Sequence, residues 1–127
     1  MAQSLAQKPL SLTPEAVAPD GTSVRLLCAL KGGSLAHFEL AAGAVSKAVA
    51  HHSVEELWLF LEGEGRMWRR LGDEASVLDV RPGLSLTIPL GTHFQFRAGP
   101  GGPLKFVAVT MPPWPGAEEA YAVQGIW

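Results

Sequence analysis

The chain has very little cysteine, which excludes a disulfide-stapled fold. Of its 127 residues only Cys28 is a cysteine, so no internal disulfide can form. Cys28 lies in the apolar run 24–30, where we expect it to act as a small buried side chain. Without disulfides the chain depends on an apolar core, and an apolar fraction of 47% is enough to build one.

The sequence also has no cluster of basic residues of the kind that binds nucleic acid or an anionic membrane. The formal net charge is −2, and no run of like charges interrupts the sequence. Arg66, Arg69 and Arg70 alternate with apolar residues, which is typical of a solvated strand edge. We therefore expect neither nucleic acid nor a membrane surface among the partners.

No hydrophobic run has the length of a transmembrane helix. The first residues, 1–12, have neither the basic start nor the apolar centre of a signal peptide. These two features lead us to expect a soluble, cytoplasmic protein.

Few segments show the apolar period of a helix, whereas turn-forming residues are frequent. The sequence contains 14 glycines and 10 prolines, spread at intervals of roughly ten residues with apolar segments of strand length between them. This spacing predicts an all-β sandwich or barrel. The expected strands are Val24–Leu30, Leu35–Leu40, Leu57–Glu62, Gly65–Leu71, Ala75–Val80, Leu84–Ile88, His93–Arg97 and Leu104–Thr110.

The length fits one domain spanning residues 1–127. We expect an N-terminal arm over about residues 1–20. The C-terminal segment, about 111–127, is rich in proline yet carries Trp114, Tyr121 and Trp127. A disordered tail rarely has so many large apolar groups, so we expect this segment to pack on the barrel or on a partner subunit, where its aromatic residues would share in a dimer contact.

The segment Leu57–Glu62 is apolar on both faces of a strand. Side chains alternate along a strand, so Trp58 and Phe60 share the inward face with Glu56. Leucines 57, 59 and 61 are then left on the outer face. An apolar strip of that kind marks an interface, and we expect a homodimer.

Two longer segments combine these turns with titratable residues. The first, from Gly43 to Gly63, contains His51, His52 and Glu56; the second, from Gly83 to Ala98, reads Gly-Leu-Ser-Leu-Thr-Ile-Pro-Leu-Gly-Thr-His-Phe-Gln-Phe-Arg-Ala. Together they resemble the two signature motifs of the cupin superfamily. The glycines and proline of both motifs, and Glu56 of the first, fall in frame.

This resemblance implies a double-stranded β-helix, the cupin jelly-roll barrel, which is commonly a homodimer. In that family three histidines and one glutamate usually surround a divalent metal. The matching positions here are Val49, His51, Glu56 and Phe94, so only two of the four retain a ligand. The last position of the second motif, usually Asn, is Ala98.

Neighbouring residues offer substitutes for the missing ligands. His52 replaces His51 if the shorter family spacing to Glu56 applies, and a shift of one residue would turn His93 and Gln95 inward. The count from Gly43 favours His51 on the inner face. A metal, if held, would be Zn, Fe, Mn or Ni.

Two functions from different classes follow. The first is a binding protein that holds a small organic molecule between aromatic side chains, with His51 and Glu56 as polar anchors and a degenerate metal site. Its expected aromatic contacts are Trp58, Phe60, Phe94 and Phe96. The second is a metal-dependent enzyme of the dioxygenase, isomerase or cyclase type, with Glu56 as candidate catalytic base.

Overall fold

The computed structural model describes residues 5–127, and within them the chain is built almost entirely of strands. The strands are β1 Ala16–Val17, β2 Ser23–Leu30, β3 Gly33–Leu40, β4 Val49–His51, β5 Glu55–Glu62, β6 Gly65–Leu71, β7 Glu74–Val80, β8 Ser85–Ile88, β9 His93–Ala98, β10 Leu104–Met111 and β11 Ala120–Ala122. Among the described residues the helical element is a single 3-10 turn, Ala117–Glu119.

The strands form two antiparallel sheets. The first has six strands in the order β1-β2-β3-β10-β5-β8, and the second has five in the order β11-β4-β9-β6-β7. Consecutive strands such as β4 and β5 lie in different sheets, so the chain passes repeatedly from one layer to the other. This arrangement is a jelly-roll β-sandwich, and the all-β prediction is confirmed.

The core fills the space between the sheets with alternate residues of each strand. In β5 the side chains of Glu56, Trp58 and Phe60 are buried while their neighbours are exposed. The opposing sheet contributes Phe94 and Phe96 from β9. The period of two that predicted the strands therefore also selects the side chains that meet in the middle.

Glycines occur where the backbone needs them. Gly63, between β5 and β6, has φ 83°, and a Cβ there would collide with the carbonyl of Pro103. Gly83 has φ 90° in the turn before β8. Both fall in the left-handed region that L-residues with side chains avoid, as the turn pattern predicts.

The C-terminal segment folds back on the five-stranded sheet of its own chain. Strand β11 pairs with β4, and the amide of Gln95 binds the chain end. Gln95 Oε1 accepts hydrogen bonds from the backbone N–H groups of Ile126 and Trp127, and its Nε2 donates to the Trp127 carbonyl. Arg97 lies 4.8 Å from the Trp127 ring centroid. The segment is therefore packed along residues 120–127.

The structure corrects the expected burial of Cys28. Cys28 is exposed, because β2 lies near the edge of its sheet and its pairing with β3 shifts register there. Residues 1–4 of the expected arm lie outside the described residues. No helix within residues 5–127 is long and apolar enough to cross a membrane.

Candidate functional site

A cavity of about 480 Å³ lies between the two sheets, below the N-terminal arm. Residues 16–20 and strands β2, β3, β5 and β10 of the six-stranded sheet line it, together with β4 and β9 of the five-stranded sheet. The C-terminal segment contributes Trp114 at the rim. The wall is largely apolar, with a few polar side chains set into it.

Three strands bring the motif positions together at this cavity. Val49 and His51 are two residues apart on β4, Glu56 lies on β5, and Phe94 on β9 is directly opposite Val49. All four line the cavity and are at least nine-tenths buried. The motif positions counted from Gly43 are therefore the ones whose side chains face the cavity, and His51 is among them.

Glu56 is held in one orientation by two donors. Trp58 Nε1 donates to Oε1 at 3.0 Å, and Thr110 Oγ1 donates to Oε2 at 2.6 Å. Thr110 is directly opposite Glu56 in the pairing of β5 with β10, so the sheet register itself delivers this hydroxyl. Each carboxylate oxygen keeps acceptor capacity, because an ionised carboxylate has about four lone-pair sites.

His51 lies between two aromatic rings and has an unused nitrogen. Its ring makes edge contacts with Phe94 and Trp114, each at a centroid distance of 5.4 Å. The residue is 7% exposed, and its Nδ1 atom is buried with no hydrogen-bond partner among the described residues. Buried polar atoms are normally paired, and this nitrogen is an exception among the described residues.

A second acidic residue lines the cavity from the arm. Asp20 is 8% exposed, and its Oδ1 accepts hydrogen bonds from the backbone N–H and the hydroxyl of Thr22. Burial raises the pKa of the Asp20 carboxyl, and the bonds from Thr22 and the nearby His51 ring offset this only in part.

A further carboxylate supports His51 from outside the cavity. Glu119 accepts hydrogen bonds from the backbone N–H groups of Ser53 and Val54 and from the Ser53 hydroxyl. Burial would raise the pKa of Glu119, but these bonds outweigh it and hold the pKa below its ordinary value. Glu119 thereby fixes the turn that follows His51.

Aromatic rings form a stack along one wall. Trp58 stacks on Phe106 with ring centroids 4.1 Å apart and ring planes 15° apart. Phe38 also stacks on Phe106, with ring centroids 5.1 Å apart. Phe94 meets Trp58 edge-on at 5.5 Å. All four rings line the cavity.

The remaining predicted site residues lie elsewhere. Phe60 and Phe96 are completely buried in the core and do not line the cavity. His52 is exposed and stacks on Tyr121 at 4.3 Å. His93 faces outward against Arg70, where burial and the guanidinium lower its pKa. Gln95 binds the chain end, as described above.

The donor set does not fit the metal centre implied by the family resemblance. A divalent metal needs three or four converging N or O ligands. Val49 and Phe94 supply none, so His51 and Glu56 are the two ligands left at the four motif positions. Within residues 5–127 no group of three or more His, Cys, Asp or Glu side chains is placed to hold a metal ion.

Sequence reasoning missed Asp20, Thr110 and Trp114. Thr110 carried a usable signal, since it lies on a predicted strand that can pair with the one holding Glu56. Asp20 and Trp114 lie in the arm and the tail, where periodicity gives no direction.

A family model described as "Cupin domain" matches residues 36–110. No curated protein matches the chain in a sequence search. The chain is similar in structure to peruvianin-I, a cysteine peptidase from Thevetia peruviana latex. The TM-score is 0.72 at 18% identity, over 88% of this chain and 72% of that one.

Two further similar structures are those of longer proteins. Oxalate decarboxylase from Bacillus subtilis gives a TM-score of 0.77 at 15% identity, over 97% of this chain and 33% of that one. The capsular polysaccharide assembling protein CapF from Staphylococcus aureus gives 0.74 at 15% identity, over 93% and 32%. The chain thus spans about a third of each. The decarboxylase has Mn(II) centres. At these identities the likeness concerns the fold.

Proposed function

This chain belongs to the cupin family, and we propose that it binds a small organic molecule in the cavity between its two sheets. The observation that carries the proposal is the cavity itself. Its volume of about 480 Å³ lies within the range of ligand pockets, roughly 300–1,000 Å³. Ligand pockets are mostly apolar with a few convergent polar groups, and this wall has the same composition.

The polar groups are arranged to orient a ligand. Glu56 is fixed by Trp58 and Thr110, so a ligand meets an acceptor that has little freedom left to lose. His51 lines the same cavity from β4 of the opposite sheet. Trp58 and Phe106 also line it and supply apolar contact for a ligand.

The alternative of a metal-dependent enzyme receives less support from these contacts. Its expected ligands His52, His93 and Gln95 do not line the cavity. The proposal is therefore for binding, with Glu56 as an anchor.

The four tryptophans allow a direct test. The indole N–H signals of ¹⁵N-labelled protein are followed while benzyl alcohol, a neutral aromatic probe, is added. Trp58 and Trp114 line the cavity, whereas Trp68 and Trp127 do not. We expect saturable shifts for the first pair and none for the second. Shifts that fail to saturate, or that affect all four indoles alike, contradict the proposal.

A matched pair of variants checks the location. Ala36→Leu adds apolar atoms to the cavity wall, and Ala75→Leu adds the same atoms to an exposed position of β7. We expect the first to weaken probe binding and the second to leave it unchanged, with both melting cooperatively.

A further inference from the structure

The charged side chains that line the cavity are mostly of one sign. Asp20 and Glu56 are acidic, His51 is the one basic side chain, and no lysine or arginine belongs to the lining that the described residues form. Both acidic residues are more than nine-tenths buried. Bringing an anion next to two buried carboxyl groups is unfavourable, whereas a cation would relieve their desolvation.

Glu56 has the geometry to receive a charged donor. Trp58 approaches one of its oxygens and Thr110 the other, and both are neutral donors. The carboxylate is therefore oriented by hydrogen bonds without being neutralised by an ion pair. A protonated amine would add charge-assisted hydrogen bonds, which are roughly twice as strong as neutral ones.

His51 is the remaining titratable side chain of the lining. Its Nδ1 atom is buried and has no partner within the described part of the chain, and the residue is 7% exposed. Buried polar atoms are normally paired, so His51 is an incompletely satisfied polar group beside the two acidic residues.

The aromatic side chains suit the body of the ligand. Phe38, Phe106 and Trp58 lie parallel in a stack, and Phe94 and Trp114 lie beside His51. These rings line the cavity and supply apolar contact for a hydrocarbon or aromatic body.

We propose that the occupant is a small organic cation, an apolar or aromatic body that carries a protonated amine next to Glu56. This inference rests on the proposed binding function and names the class of ligand that the same cavity takes. Asp20 contributes to it as the second carboxyl group. Burial raises its pKa in the empty protein, and a bound cation would favour its ionised form.

Three probes with the same ring test the inference by calorimetry at neutral pH: benzylamine, which is positively charged, benzyl alcohol, which is neutral, and benzoate, which is negatively charged. We expect benzylamine to bind about tenfold more tightly than benzyl alcohol, the factor that corresponds to about 1.4 kcal/mol. Benzoate should bind most weakly of the three.

Charge-removing variants identify the responsible group. Glu56→Gln should reduce the preference for benzylamine over benzyl alcohol at least about threefold, since it keeps the shape and removes the charge. Glu55→Gln removes the same charge from the exposed face of the same strand and should change nothing. Asp20→Asn is a second test should Glu56→Gln fail to fold, and it should lower the preference in the same direction.

The outcomes separate the two proposals. If benzyl alcohol binds in the cavity but benzylamine binds no more tightly, the ligand class is wrong and the binding function stands. Benzoate binding as tightly as benzylamine also overturns the inference, as does a preference that survives both Glu56→Gln and Asp20→Asn. If none of the three probes binds, the binding function and the ligand class fall together.

Discussion

Single buried residues decide what the cavity of this protein can hold. At the position where the family places its first histidine the chain has Val49, and where it places the last it has Phe94. His51 and Glu56 keep their places between them. The two apolar replacements change the site from a set of converging donors into an aromatic pocket with two polar anchors.

Restoring the missing donors tests this account of the metal site. We expect the purified protein to hold no stoichiometric transition metal after dialysis against a weak chelator. The double variant Val49→His, Phe94→His should bind Zn²⁺ or Mn²⁺ at one ion per chain, because four ligands would then face the cavity. Elemental analysis of both proteins measures this. One ion per chain in the unaltered protein would show that other groups complete the site.

Asp20 links the cavity to stability. The pKa of Asp20 is raised in the folded protein, so the native state binds more protons than the unfolded chain does. The free energy of unfolding therefore falls as the pH rises from 3.8, the ordinary pKa, through the higher pKa of the folded state. Asp20→Asn keeps an oxygen for the Thr22 donors and removes the buried charge. We expect the variant to be more stable at neutral pH, by on the order of 1 kcal/mol.

The same pair of proteins should converge in acid. Below pH 3.8 the aspartate is protonated in both folded and unfolded states, and its difference from asparagine is lost. Urea unfolding of both proteins across this range measures the difference. A variant that is less stable than the unaltered protein at neutral pH would mean that the hydrogen bonds from Thr22 need the charge. Asp73→Asn, at an exposed turn, is the control.

At the scale of elements, the strands were largely predictable and the site was only partly so. The eight predicted strands all occur, and their ends differ by at most two residues because turn glycines and alternation define both. The strands that were not predicted are β1, β4 and β11. They are two or three residues long, too short to show a period.

The omission of β4 matters because this strand carries Val49 and His51. Its residues are all buried, so no polar alternation marks it, and it is ordered by pairing with β9 and β11. The choice between His51 and His52 needed the motif count. Asp20 and Trp114 reach the cavity from segments whose course is determined by tertiary contacts alone, which a one-dimensional pattern does not contain.

The packing of the C-terminal segment requires a close backbone contact at Gly125. Gly125 lies against Gln95, and a Cβ at that position would collide with Gln95 Oε1 and the side chain of Ala48. We expect Gly125→Ala to release the chain end and to destabilise the fold by about 1–3 kcal/mol, the usual effect of overpacking. Hydrogen exchange at the Ile126 and Trp127 amides should increase.

A loop glycine provides the control for this variant. Gly101 has open space around its would-be Cβ, so Gly101→Ala should leave both exchange and melting unchanged. Unaltered exchange at Ile126 and Trp127 in Gly125→Ala would show that the Gln95 contacts do not hold the segment.

At the scale of the whole molecule, the outer face of β5 presents an exposed apolar strip. Leu57, Leu59 and Leu61 on the outer face of β5 are 50%, 40% and 46% exposed. The C-terminal segment does not cover them, since residues 120–122 pair with β4 in the other sheet. Val109, next to Leu57 on β10, extends the apolar strip.

We propose that a second copy of the chain covers this strip in a two-fold homodimer. A two-fold axis places the same patch on both subunits, so a strip that is apolar throughout is complementary to itself. The flanking residues Lys105 and Glu62 form an ion pair 3.1 Å long within the chain, which limits like-charge repulsion between the copies. Because residues 120–122 pair with β4 of their own chain, the proposed interface rests on the leucine strip and not on the tail aromatics expected to share in it.

Two variants test the position of the dimer interface, each with one aspartate introduced on the outer face of a different sheet. Leu59→Asp puts a carboxylate in the middle of the strip, where it would be buried without a partner, and should weaken association at least about tenfold. Val77→Asp places the same charge on β7 of the other sheet, where Val77 is 40% exposed, and should leave association unchanged. Sedimentation equilibrium at micromolar concentration measures both, with thermal melting to show that each variant folds. A monomeric unaltered protein rejects the dimer, and a dimer that tolerates Leu59→Asp but not Val77→Asp places the interface on the five-stranded sheet instead.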